Sequence, residues 1–154
     1  MSLIPDSLYI WLRYQGGAHK YHWGFYLHQS KHAGTKYHIR NLGQGWILEI
    51  EGTHNFMKEF LLIGCLRIAI VPSMNHNRIQ KILQDIPYIS EDGTMTCRIW
   101  VLNGLKALID GGHVRCDDLQ ALEQEVFDFG LVYFEETEQN KQPRPIVDSK
   151  SCTL

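Results

Sequence analysis

Residues 21–28 read Tyr21-His22-Trp23-Gly24-Phe25-Tyr26-Leu27-His28. Successive side chains of a strand point to opposite faces, so this stretch puts His22, Gly24, Tyr26 and His28 on one side and Trp23, Phe25 and Leu27 on the other. The second set is an apolar ladder suited to a core, while the first carries two imidazoles. Upstream, Ser7 to Gln15 is dense in Leu, Tyr, Ile and Trp, and Gly16-Gly17 then turns the chain back as a hairpin into Tyr21 to Gln29. Downstream, Thr35 to Asn41 and Trp46 to Glu51 form the next strands, separated by a turn with Gly43 and Gly45. These segments predict a meander. The run Leu61 to Val71 is continuously apolar and β-branched near its end, as a strand buried on both faces requires, with a helix from near Asn55 competing for its first residues.

From Pro72 the pattern becomes helical. Ser73 and Asn75 can each act as an N-cap, and Ile79, Ile82, Leu83 and Ile86 recur at helical spacing until Pro87. After the turn-rich segment Tyr88 to Thr94, a helix beginning at Cys97 is capped by Thr94 or Thr96 and ends at Gly111-Gly112. A third helix starts at Asp117 or Asp118 and carries Leu119, Leu122, Val126 and Phe129 on one face to about Phe134. The predicted fold class is α+β: an antiparallel β-meander or partly open barrel packed against helices. One domain covers 1–138, and 139–154, polar and containing Pro143 and Pro145, reads as a flexible C-terminal tail.

Composition bounds the functional classes. The 154 residues are 44% hydrophobic and 21% charged, which suits a single globular domain with a real core. A formal net charge of −2 provides no global attraction to nucleic acid, and Lys20, Lys31, Lys36 and Arg40 are scattered rather than run together. The N-terminus lacks the pattern of a secretory signal, and Leu61 to Val71, interrupted by Arg67, is too short to span a bilayer. A cytoplasmic protein without stable membrane insertion is expected. Cys65, Cys97, Cys116 and Cys152 form no C-x-x-C pair, so free thiols are expected and no cofactor is called for. His19, His22, His28, His32 and His38 crowd one stretch, but their spacing fits no zinc pattern and no metal site is expected.

Cys97 is the candidate nucleophile. A thiol at a helix N-terminus meets free backbone amides and the positive end of the macrodipole, which favour the thiolate. Trp100, Val101, Gly104 and Leu108 lie below it on the same helix face, and Gly104 permits close approach of another backbone. Cys65 lies in the most apolar segment and reads as core, whereas Asp117 and Asp118 beside Cys116 would raise its pKa. His22 and His38 stand on neighbouring strands, one able to act as base and the other to fix its tautomer. Gly24, beside His22 on the same face, leaves room for a ligand next to the imidazole.

The order of these elements resembles the circularly permuted papain-like thiol enzymes, a superfamily that includes permuted NlpC-type peptidases and lecithin retinol acyltransferase-like proteins. His22-Trp23-Gly24 matches the first motif, Gly34-Thr35-Lys36-Tyr37-His38 the second and Thr96-Cys97-Arg98-Ile99-Trp100-Val101 the third. The wider pattern over residues 7–112 is similar to small fungal members of that superfamily. Thr96 stands where the family commonly has asparagine, and the apolar insertion that docks the acyltransferases on membranes is not evident.

The resemblance implies a hydrolase or acyltransferase with a Cys97-His22-His38 site. His22 would accept the proton of Cys97, the thiolate would attack a carbonyl of a small-molecule, acyl or amide substrate, and His38 would orient His22. The Cys97 amide would supply one oxyanion donor, with Tyr21, Trp23 and Tyr9 as substrate-binding candidates. Two other classes compete: a biosynthetic enzyme such as an isomerase or cyclase that uses a histidine as acid or base, and a ligand-binding module without catalysis.

Overall fold

The computed structural model describes residues 2–154. Six strands form one open sheet: β1 (Ser7–Gly17), β2 (Lys20–His28), β3 (Ala33–Asn41), β4 (Trp46–His54), β5 (Leu62–Ile70) and β6 (Ile146–Asp148). Their order is β4-β3-β2-β1-β5-β6. The first four are the expected meander, each antiparallel to the next. β5 then crosses to the far side of β1 and pairs with it antiparallel, and β6 lies parallel to β5. The architecture is thus α+β, with a mostly antiparallel sheet and helices α1 (His76–Gln84), α2 (Cys97–Asp110) and α3 (Leu119–Glu138).

The alternation of the strands decides which side each layer takes. Leu8, Ile10 and Leu12 of β1 join Trp23, Phe25 and Leu27 of β2 in the main core, and the helices lay Trp100, Leu105, Leu122 and Val126 against them. Phe25 meets Trp100 edge to face, with ring centroids 5.9 Å apart. Gly104 is needed here, because a Cβ on it would come within 3.0 Å of Phe25 and 3.1 Å of Leu83. The helix ends follow from side-chain chemistry: the Thr96 hydroxyl accepts from the Ile99 amide and the Asp118 carboxylate from the Ala121 amide.

The opposite face of the sheet is buried too. Tyr9, Trp11 and Tyr26 pack there with Phe56, Leu62 and Cys65 under the 3-10 turn Phe56–Lys58, with Leu3, Met57 and Ile146 at the margin. Burial on both faces explains the apolar character of β5, broken only by Arg67, which pairs with Asp148.

Within the segment 139–154, expected as a flexible tail, β6 forms an edge strand of the open sheet. Arg67 donates through Nε and Nη2 to the two carboxylate oxygens of Asp148 at 2.8 and 3.1 Å. Farther along, Ser149 Oγ donates to Glu125 at 2.7 Å and Cys152 pairs with Cys116 in an isolated antiparallel bridge. Parallel pairing and ion pairs hold this segment, so it needs no apolar run of its own.

Candidate functional site

His22 leaves β2 on the face away from the helices. Its Nε2 lies 2.7 Å from Nδ1 of His38 on β3, and the Nε2 of His38 lies 2.9 Å from Oε1 of Glu49 on β4. Arg40 Nε in turn faces Glu49 Oε2 at 2.9 Å. Register produces this line: Glu49 stands directly opposite His38, and Arg13 of β1 directly opposite His22.

The order of the bonds fixes where protons sit. A carboxylate only accepts, so His38 donates from Nε2 to Glu49; its bare Nδ1 then accepts from the Nε2–H of His22. That leaves Nδ1 of His22 as an unprotonated lone pair. This atom has no hydrogen-bond partner among the described residues, in a residue that is 3% exposed. Burial pushes both histidines down to about 3, with His38, Arg13 and Lys36 adding to the effect at His22, and Lys36, Arg13 and Arg40 at His38. Both rings are therefore neutral at pH 7, and the Glu49 carboxylate is the neighbour that would favour a proton on the pair.

Trp11 holds the two rings in place. Its indole centroid is 5.4 Å from His22 and 5.3 Å from His38, and its Nε1–H donates to the Phe25 carbonyl at 2.8 Å. The space expected over Gly24 for a ligand is filled by this indole, since a Cβ on Gly24 would come within 2.3 Å of it. Arg13 and Lys36 lie over the same ring at 5.7 and 5.9 Å. Lys36 is ion-paired with Glu59 at 2.9 Å, whereas Arg13 has no ion-pair partner among the described residues.

The structure brings His22 and His38 together and keeps Cys97 apart from them. Cys97 packs into the helix-side core beside the Trp23 backbone, while the imidazoles contact Trp11 on the other face. The sheet lies between thiol and base, so the Cys97-His22-His38 arrangement is not assembled. Nor is the thiol activated: burial pushes its pKa up, outweighing the Trp23, Arg98 and Cys97 backbone groups that favour the thiolate.

The three residues expected to bind substrate are core residues. Tyr9 is buried on the non-helical face, where its hydroxyl accepts from the Ile4 amide at 2.9 Å. Tyr21 lies under α3 against Gly130, and Trp23 packs edge to face on Phe127 at 5.3 Å. The other histidines of that stretch do not join His22 and His38. Tyr26 takes His28 at 2.9 Å, His19 lies against Phe127, and among the described residues no three His, Cys, Asp or Glu side chains gather in a metal-binding group.

Glu49, Arg13 and Trp11 are the site residues that reading the chain in one dimension missed. The hairpin closure at Asn41 and Trp46 could have found Glu49: counting back along β3 and forward along β4 from that pair sets Glu49 against His38. No helix among the described residues is long and apolar enough to cross a membrane. Neither a curated protein nor a solved structure matches the chain. A family model does match, over residues 6–142, which include all three helices and the five strands of the antiparallel sheet. The chain belongs to the family of unknown function DUF6914.

Proposed function

We propose that the protein is an acid–base enzyme acting on a small molecule, with His22 Nδ1 as the atom that takes and returns the proton. The observation that carries this reading is the one-way line Glu49, His38, His22, which ends in an unprotonated nitrogen without a hydrogen-bond partner among the described residues. His22 is neutral at pH 7 and oriented through its other nitrogen; its lowered pKa makes it a weak base by itself, so Glu49, acting through His38, has to stabilise the proton it takes up.

The chemistry follows from the bonds. A substrate C–H or O–H would give its proton to Nδ1, leaving the electron pair on the substrate. The imidazolium so formed would be stabilised through its Nε2–H to His38 and onward to Glu49, and Arg13, directly across the strand pair, would face the developing negative charge. Return of the proton to another atom of the substrate completes an isomerisation and regenerates the neutral pair. Cys97 has no part in these steps. A thiol hydrolase or acyltransferase would require the Cys97 side chain to reach the opposite face of the sheet.

The test is untargeted metabolite profiling of cells carrying the wild-type gene, a deletion, His22→Gln or Cys97→Ser at matched protein levels. The proposal expects His22→Gln to reproduce the deletion profile and Cys97→Ser to reproduce the wild type. The reverse assignment overturns it in favour of thiol chemistry, and a wild-type profile from both variants removes catalysis at either position.

A further inference from the structure

Beside the second core, and separated from the histidine pair by Trp11 and Phe56, is a cavity of about 490 Å³. Its size is that of a small-molecule site. The floor is apolar, with Leu3, Phe56 and Met57, and Phe56 is itself stacked on Tyr26 at 4.2 Å and 8°. The charged side chains that line it are of one sign, Lys31, Lys58 and Arg144, with no Asp or Glu among the described residues of the lining. The chain as a whole has 17 acidic against 15 basic residues, so this lining departs from its average.

Arg144 is the telling member. It is 3% exposed, and Lys36 is the other cation buried to that degree among the described residues. Lys36 faces a carboxylate at 2.9 Å; among the described residues Arg144 has none within ion-pair distance. Its Nη1 donates to the Lys141 and Glu136 carbonyls at 2.7 and 3.5 Å, and Nη2 to Asn140 Oδ1 at 3.1 Å, while Nε has no partner. The Glu136 carboxylate, which favours the charge on Arg144, is itself engaged by Lys141 at 3.3 Å. A buried guanidinium satisfied by neutral acceptors alone retains an unneutralised charge, which is costly in a low-dielectric setting.

His28 adds a second incomplete group at the same cavity. It is 2% exposed, with Nδ1 at 2.9 Å from the Tyr26 hydroxyl. Its Nε2 is buried without a well-formed partner, although the Lys31 backbone lies close enough to favour a proton on the ring. In the tautomer whose Nδ1 accepts from the Tyr26 hydroxyl, the ring proton sits on Nε2, beside the Lys31 backbone.

We propose that this cavity binds a small organic acid, an apolar body carrying one anionic group, with the body on Phe56 and Met57 and the anion held by Arg144, Lys31 and Lys58. The anion supplies the charge partner that Arg144 lacks, and the apolar floor covers the rest of the ligand. The site is independent of the proton-transfer reading of His22, because none of its residues belongs to the His22-His38-Glu49 line.

Calorimetric titration with three ligands of one chain length separates the contributions: octanoate, 1-octanol and octylammonium. Octanoate is expected to bind saturably with one site and at least tenfold more tightly than 1-octanol, and octylammonium more weakly than either. The surface double variant Lys31→Gln/Lys58→Gln, which leaves the buried residues untouched, is expected to weaken octanoate at least fivefold and to leave 1-octanol unchanged. Amide shift changes in a nuclear magnetic resonance titration are expected at residues 28–32, 55–58 and 142–146. Equal affinity for octanoate and 1-octanol, an unchanged octanoate affinity in the double variant, or shifts centred elsewhere would each overturn the assignment.

Discussion

The indole of Trp11 occupies the space that any side chain at Gly24 would need. A Cβ at position 24 would stand 2.3 Å from Trp11 Cζ2 and 2.5 Å from Cε2, and the same indole touches both His22 and His38. Gly24→Ala therefore forces the ring aside within a packed face, at a cost of about 1–3 kcal/mol. Urea unfolding followed by tryptophan fluorescence is expected to show a lower midpoint, together with altered His22 and His38 ring resonances. A variant as stable as the wild type with unchanged rings would mean that Trp11 does not set the site.

Acid stability gives a second prediction. Burial lowers the folded-state pKa of His22 and His38 from 6.5 to about 3, so between these values the unfolded chain binds more protons than the native one. Stability is then fully present above pH 6.5 and is lost progressively as the pH falls toward 3, by up to about 1.4 kcal/mol per pH unit for each histidine. His28 shifts in the same direction. Denaturation between pH 7 and 5 is expected to show this slope in the wild type and a shallower one in His22→Gln/His38→Gln. The same slope in both would place the linkage elsewhere.

Thiol reactivity gives a third. Burial raises the Cys97 thiol, so despite its place at the start of α2 it should be no faster toward iodoacetamide than free glutathione at the same pH. Its rate should climb steadily from pH 6 to 9. A Cys97 rate well above glutathione and flat across neutral pH would restore a thiolate nucleophile.

Much of the scaffold was legible because its signals are local. Alternation revealed β1 to β4, and the pairs Thr94/Thr96 and Asp117/Asp118 bracketed the starts of α2 and α3, where Thr96 and Asp118 supply the caps. The pairing of His22 with His38 could also be anticipated from neighbouring strands. What a strand cannot announce is which face the helices will cover when both are bulky. Trp23, Phe25 and Leu27 won that face, Tyr26 and Trp11 built a second core on the other, and Cys97 went with the first. Glu49 and Arg13 join the site through cross-strand register, a relation between distant residues, and β6 through pairing and ion pairs that leave no apolar periodicity.

The tautomers of His22 and His38 test the proton-relay claim most directly. Long-range proton–nitrogen correlation of the imidazoles at pH 7 is expected to find both rings neutral, each protonated on Nε2, with Nδ1 of His22 bare. Glu49→Gln is expected to disturb this pattern, because the amide can donate as well as accept. An imidazolium at either position in the wild type at pH 7, or a proton on His22 Nδ1, would contradict the assignment of His22 as the base.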